Sequence, residues 1–149
     1  MITTQSPEGE GWVGETVNNS SMGGKMLRIL IVEDNRIFRE AFKKRLDDHF
    51  PSMVVEEAAN GEEALEKINR ASPHLIFMDI RLPGVNGLQL TQKMKKDFPG
   101  IRIAILTDYD LPEYRQAANQ YGADRFFVKN AFNWDEVETL IKSISPGGR

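Results

Sequence analysis

The sequence contains no cysteine, and this absence excludes several classes of function. Disulfide scaffolds, zinc knuckles, iron–sulfur clusters and thiol nucleophiles all depend on cysteine sulfur. His49 and His74 are the only imidazole side chains in the chain. With two nitrogen ligands and no sulfur ligand, the composition argues against a zinc enzyme.

The chain also lacks a basic surplus and a long apolar run. Its 19 Lys and Arg against 22 Asp and Glu give a net charge of −3, so we expect no direct binding to a nucleic-acid backbone. No apolar run approaches the roughly 20 residues of a membrane-spanning helix. The first basic residue is Lys25, which leaves no charged start for a signal peptide. These absences predict a cytoplasmic protein without membrane contact.

The remaining composition predicts one folded domain. With 149 residues, 40% of them hydrophobic, the chain is long enough for one sizeable core and too short for two ordinary domains. Residues 1–25 are rich in Gly, Ser, Thr and Asn without periodic apolar residues, which is typical of a flexible leader. We therefore expect the domain over residues 26–145 and a short tail over 146–149.

Short apolar runs alternate with amphipathic segments along this domain. The predicted strands are Leu27–Val32, Met53–Ala58, His74–Met78, Ile101–Leu106 and Arg125–Val128. Apolar stripes of helical spacing begin at Phe38, Ala64, Tyr114 and Val137. Glu56 and Glu57 indicate that the second strand lies at an edge. The pattern predicts an α/β fold, a doubly wound (βα)₅ parallel sheet covered by helices on both faces.

Polar side chains follow the predicted strands at their carboxyl ends, where ligands bind in open α/β sheets. Glu33 and Asp34 follow the first strand, Asp79 the third, Thr107 the fourth and Lys129 the fifth. Each residue alone has an ordinary explanation as a cap, a turn residue or a surface charge. Together they place three carboxylates, a hydroxyl and an ammonium at one edge of the sheet.

The sign of this edge favours a divalent cation over a nucleotide phosphate. The turn Glu33–Asn35 offers two negative charges and no glycine cradle. Mg²⁺ accepts one or two carboxylates while it keeps several waters. With Mg²⁺, Lys129 and the Thr107 hydroxyl nearby, one carboxylate can take up a phosphoryl group, and Asp79 is the central candidate.

The same residues stand in four motifs that resemble those of a known family. The motifs are Ile-Leu-Ile-Val-Glu33-Asp34-Asn35, Met78-Asp79-Ile-Arg81-Leu-Pro83-Gly84-Val-Asn-Gly87, Ile-Leu-Thr107 and Phe126-Phe-Val-Lys129. Over residues 26–145 the chain is similar to the receiver domain of two-component response regulators. The segment after Leu106 resembles receivers of transcription factors with a LuxR-type output domain. The resemblance implies a flavodoxin-like sheet with strand order 2-1-3-4-5.

The resemblance also implies how the edge works. Asp79 would accept a phosphoryl group from the phosphohistidine of a sensor histidine kinase. Asp34, Asp79 and the backbone carbonyl of Arg81 would bind Mg²⁺, with Glu33 reaching it through water.

Thr107 and Lys129 would hold the phosphoryl oxygens, and Phe126 would be either a switch aromatic that turns inward or an ordinary core residue. The change would act on the surface of the fourth helix, fifth strand and fifth helix, where a homodimer or a partner binds. Asp108 stands where such receivers have a small residue, and Asn130 where many have proline.

Three interpretations remain open from the sequence. The first is a phosphorylated signalling switch with a transcriptional output and slow self-hydrolysis, which is not a turnover enzyme. The second is an adaptor that keeps the fold without phosphorylation, and the third is a Mg²⁺-dependent phosphohydrolase. The chain is either a single-domain regulator or the receiver part of a longer one.

Overall fold

A five-stranded parallel sheet organises the chain in this computed structural model, which describes residues 26–144. The strands are β1 (Arg28–Val32), β2 (Val54–Ala58), β3 (Leu75–Met78), β4 (Arg102–Thr107) and β5 (Arg125–Val128). The helices are α1 (Arg36–His49), α2 (Gly61–Arg70), α3 (Gly87–Asp97), α4 (Pro112–Gln120) and α5 (Trp134–Lys142). The predicted leader 1–25 and tail 146–149 lie outside the described residues.

The strand order is β2-β1-β3-β4-β5, and every pairing is parallel. This order confirms both the predicted (βα)₅ architecture and the 2-1-3-4-5 sequence of strands. β2 is an edge strand, as Glu56 and Glu57 predicted, and both residues keep partial solvent exposure. The order places the carboxyl ends of β1, β3 and β4 side by side, since β3 lies between the other two strands.

Each face of the sheet buries one apolar core. Leu30 and Val32 of β1 face a cluster that α2, α3 and α4 complete, whereas Ile29 and Ile31 face a cluster completed by α1 and α5. This alternation follows from the two-residue period of a strand. Full burial of each such aliphatic side chain contributes about 1.5–3 kcal/mol relative to exposure.

Asparagine side chains cap four of the five helices in residues 26–144. Asn60 Oδ1 accepts a hydrogen bond from Glu63 N, and Glu63 Oε1 accepts one from Ala59 N. Asn60 and Glu63 thus form a cap that satisfies two free backbone donors. Pro112 occupies the first turn of α4, where its missing N–H costs nothing.

The start of α3 depends on Gly87. A Cβ atom at this position would lie 1.9 Å from the carbonyl oxygen of Asp79. Gly87 N instead donates to Ile80 O at 2.7 Å, and Thr91 Oγ1 donates to Gly87 O at 2.8 Å. The helix can therefore begin directly against the end of β3. Among residues 26–144, no helix is long and apolar enough to cross a membrane.

Candidate functional site

The carboxyl edge of the sheet brings together the acidic residues predicted from the sequence. One carboxylate oxygen from each of Glu33, Asp34 and Asp79 lies within 4.8 Å of the others. Glu33 and Asp79 are buried, at 1% and 6% exposure, whereas Asp34 faces solvent. Glu33 and Asp34 directly follow β1, and Asp79 directly follows the adjacent β3. The cluster therefore forms because β1 and β3 are adjacent strands that end at the same edge of the sheet.

Lys129 supplies the positive charge of this cluster. Its Nζ lies 2.5 Å from Glu33 Oε1 and 3.6 Å from Asp79 Oδ2. It also lies 3.7 Å from Asp108 Oδ2 and 4.8 Å from the centre of the Phe38 ring. Burial lowers the pKa of Lys129, but the three carboxylates outweigh burial and the net direction is upward. The ammonium is therefore charged over the physiological range.

Asp79 is the carboxylate that the site perturbs most clearly. Burial, and then repulsion from the Glu33 carboxylate, raise the pKa of Asp79 to about 7, against the opposing attraction of Lys129. Taking a carboxylate out of water disfavours its charged form, and a neighbouring carboxylate adds to that effect. One ammonium does not fully compensate two buried acids in contact with it, so the site favours further positive charge.

The three carboxylates fit a hard divalent cation. Glu33 Oε1 is buried, and the Lys129 ammonium at 2.5 Å is its charged neighbour. Glu33 Oε2 accepts from Asn35 N at 2.9 Å. Oxygen donors of this kind are the ligands that Mg²⁺ takes in proteins. Arg81 lies two residues beyond Asp79, and the use of its backbone carbonyl as a ligand stays a prediction.

Thr107 lies at the end of β4 with a buried side chain. Its Oγ1 accepts a hydrogen bond from Tyr109 N at 3.2 Å, and its carbonyl oxygen accepts one from Lys129 N at 2.7 Å. The structure thus fixes Thr107 beside the backbone of Lys129. Its hydroxyl faces the loop that joins β4 to α4.

Phe126 of β5 is partly buried and packs against the core on the α2–α4 side of the sheet. The guanidinium carbon of Arg115 lies 4.6 Å from the centre of its ring. Arg115 also forms an ion pair of 2.6 Å with Asp110, which lies in the β4–α4 loop. Arg115 thus connects the Phe126 ring to this loop. The role of Phe126 as a switch stays a prediction.

Two large side chains, Arg81 and Tyr109, border the site. The guanidinium carbon of Arg81 lies 3.7 Å from the centre of the Tyr109 ring. Arg81 Nη2 donates to the Tyr114 hydroxyl at 3.4 Å. Sequence reasoning missed Tyr114, because a residue 33 positions away gives no local signal for this contact. It also treated Phe38 purely as a core residue, whereas its ring faces Lys129.

The chain matches known proteins over most of its length. The sequence model of the response regulator receiver domain matches residues 29–142. The oxygen regulatory protein NreC of Staphylococcus carnosus is 36% identical over 122 residues, 81% of this chain and 56% of that protein. The response regulator GacA of Pseudomonas protegens is 30% identical over 124 residues, 83% of this chain and 58% of that protein. The chain therefore spans little more than half the length of these relatives.

A solved structure shows the same fold. The response regulator TrrA of Thermotoga maritima, determined in complex with Mg²⁺-BeF, is 35% identical with a TM-score of 0.69. The match covers 79% of this chain and 98% of that chain.

Proposed function

The chain belongs to the response regulator receiver domain family, a family of signalling switches not classed as enzymes, and we propose that Asp79 is its phosphoacceptor. The phosphoryl group would come from a phosphohistidine on a sensor histidine kinase. The P–N bond to the histidine breaks as a P–O bond to an Asp79 oxygen forms, and the histidine leaves with the electron pair. We assign this function to residues 26–145.

One observation carries the proposal: the buried Asp79 carboxylate lies 3.6 Å from the Lys129 ammonium within a cluster of acidic oxygens. A carboxylate at the end of a central strand is accessible from the sheet edge as a nucleophile. Lys129 is charged and close enough to bind an oxygen of a phosphoryl group held on Asp79. Groups of this kind lower a barrier by stabilising charge that develops during transfer.

Glu33, Asp34, Asp79 and the carbonyl of Arg81 are the residues that would hold Mg²⁺. Bound there, Mg²⁺ supplies positive charge to the acidic cluster and to the phosphoryl oxygens. The three clustered carboxylates, two of them buried, support this assignment.

Lys129 and Thr107 would then respond to the new anion. Lys129 exchanges its ion pair with Glu33 for a phosphoryl oxygen, and the Thr107 hydroxyl turns from Tyr109 N to donate to another. Movement at Thr107 shifts the β4–α4 loop and, with Phe126, the surface formed by α4, β5 and α5. This surface is where we place homodimerisation or partner binding, with transcription as the output.

Direct binding to nucleic acid is not part of this proposal. Several surface lysines are paired within their own helices, including Lys43 with Asp47, Lys44 with Asp48 and Lys93 with Asp97. This pairing partly neutralises the basic side chains of α1 and α3. The cytoplasm is the compartment we propose, because the phosphodonor is a kinase domain of the same signalling system.

The test is phosphorylation with phosphoramidate and Mg²⁺, followed by Phos-tag electrophoresis and mapping of the hydroxylamine-labile adduct. We expect one labelled site in the wild type and none in Asp79→Asn. Asp97→Asn is the matched control, because Asp97 is an exposed carboxylate paired with Lys93 far from the strand ends. Undiminished labelling of Asp79→Asn contradicts the proposal. Absence of labelling in every form supports the adaptor, and release of phosphate without any adduct supports the phosphohydrolase.

A further inference from the structure

The Asp108 carboxylate occupies the solvent side of the Lys129 ammonium. Its Oδ2 lies 3.7 Å from Lys129 Nζ, and its side chain is 64% exposed. The side chains of Lys129, Glu33 and Asp79 are 6%, 1% and 8% exposed. Of these four side chains, Asp108 is therefore the one that meets solvent.

The charges around Lys129 do not balance. In the described part of the chain, Glu33, Asp34, Asp79 and Asp108 place four carboxylates around one ammonium, a net formal charge of −3. A divalent cation held by the acidic cluster reduces this charge to −1. The charge that remains equals the charge of the Asp108 carboxylate, which takes no part in the cluster of Glu33, Asp34 and Asp79.

The second cation near this edge is engaged elsewhere. Arg81 stacks on Tyr109 and donates to the Tyr114 hydroxyl, and its guanidinium is exposed to solvent. Exposed charges act through water and are screened by salt. A third cation, Arg39, donates to Glu33 O at 2.7 Å and pairs with Glu57. Asp108 is therefore the exposed carboxylate in contact with Lys129.

From this arrangement we propose that Asp108 determines the preference among small phosphodonors, by slowing transfer from a dianionic donor more than transfer from a monoanionic donor. The inference rests on the proposed function of Asp79. A small donor brings little binding energy beyond its own charge, so repulsion from Asp108 acts on it in full. The repulsion grows with the charge of the donor, so a dianion is slowed more than a monoanion.

The expected size follows from charge and distance. A carboxylate about 7 Å from a dianion in a largely aqueous entrance lowers the encounter rate of the dianion by roughly fivefold to tenfold. It lowers the encounter rate of a monoanion by about twofold to threefold. Acetyl phosphate is the dianionic probe and phosphoramidate the monoanionic probe near neutral pH. In each case the bond from phosphorus to its leaving group breaks as the bond to an Asp79 oxygen forms, and acetate or ammonia departs.

The experiment compares initial phosphorylation rates of the 149-residue chain with both donors in Mg²⁺, at low and high salt. Asp108→Asn keeps the side-chain shape and removes the charge, and Asp108→Glu keeps the charge. Asp110→Asn is the matched control, because Asp110 lies in the same loop but pairs with Arg115. We expect Asp108→Asn to accelerate phosphorylation by acetyl phosphate about fivefold to tenfold and by phosphoramidate about twofold to threefold. The change should lower KM more than it raises kcat.

Salt dependence and a second probe distinguish an effect of the Asp108 charge from an effect of altered local structure. The gain in Asp108→Asn should shrink at high salt, since screening weakens interactions across a Debye length. Asp108→Glu and Asp110→Asn should keep wild-type rates. Binding of beryllofluoride, a monoanion, followed by ¹⁹F NMR should tighten about twofold to threefold in Asp108→Asn without any transfer reaction.

Some results would overturn the inference while leaving the proposed function intact. Equal acceleration of both donors, no acceleration, or a gain independent of salt would each show that the Asp108 charge does not select donors. Labelling that persists in Asp79→Asn would contradict the proposed function instead. Failure of both donors to label every variant would contradict both.

Discussion

Replacing Asp79 by asparagine should stabilise the metal-free protein at pH 8 and change its stability little near pH 4.5. Asparagine has nearly the same shape as a protonated aspartate and carries no charge. The folded state holds Asp79 beside the Glu33 carboxylate in a buried site, and its pKa is raised from 3.8 to about 7. Above that value the folded protein must keep a charged carboxylate where a neutral group is favoured.

The sign of the pH dependence follows from proton counting. Between about pH 4 and pH 7 the folded state holds a proton on Asp79 that the unfolded state has released, so stability falls as pH rises. The loss of stability caused by the charged Asp79 is complete above pH 7. It is absent below the pKa that Asp79 has in the unfolded state. A shift of about three units corresponds to about 4 kcal/mol. Because Glu33 and Asp79 share the Lys129 ammonium, we expect a gain of about 1–3 kcal/mol in Asp79→Asn.

The assay is urea unfolding in EDTA at pH 8 and pH 4.5, for wild type, Asp79→Asn and Asp97→Asn. Asp97 lies in an exposed ion pair with Lys93, and its replacement should change the free energy of unfolding by less than about 0.5 kcal/mol. The reasoning is refuted if Asp79→Asn is no more stable than wild type at pH 8. It is also refuted if the gain is the same at both pH values, since a packing effect has no such dependence.

Three further predictions concern the metal, the fold and the phosphoryl lifetime. Asp34→Ala should weaken Mg²⁺ binding by tenfold or more, at about 1.4 kcal/mol per tenfold, and unchanged affinity by calorimetry would contradict the site. Gly87→Ala forces a Cβ to within 1.9 Å of a carbonyl oxygen, whereas Gly100 has open space around it. Gly87→Ala should lower the free energy of unfolding measured in urea by more than about 2 kcal/mol, and Gly100→Ala should leave it almost unchanged. Arg81→Ala and Tyr109→Ala should hasten decay of the phosphorylated protein, by about tenfold if the stacked pair excludes the attacking water. Decay no faster than wild type in both would refute shielding.

The fold was predictable from sequence because the apolar runs along the chain coincide with the strands that the sheet buries. Apolar runs marked all five strands to within one residue at each end, and the acidic pair in the second run marked the edge strand. α3 lacked a clear stripe, because its buried face includes Gly87 and Thr91 beside the apolar residues. These two residues serve the close approach of α3 to β3, which no periodicity in the sequence expresses.

The site was predictable as a set of residues but not as a set of contacts. Strand ends fixed Glu33, Asp79 and Lys129 at one edge, since parallel strands end on the same side of their sheet. The partners around them depend on side-chain orientation and loop path. The ion pair of Asp108 with Lys129 and the stacking of Arg81 on its neighbour arise from residues whose spacing carries no pattern.

The β4–α4 loop connects the site to the surface that we expect to change. Three consecutive residues of this loop contact three different partners: Asp108 pairs with Lys129, Tyr109 stacks with Arg81, and Asp110 pairs with Arg115. Arg115 in turn covers the Phe126 ring on β5. If a phosphoryl group draws Thr107 and Lys129 toward Asp79, as we propose, we expect these loop contacts to change together. Because Arg115 lies on α4 and Phe126 on β5, we expect the change to reach that face.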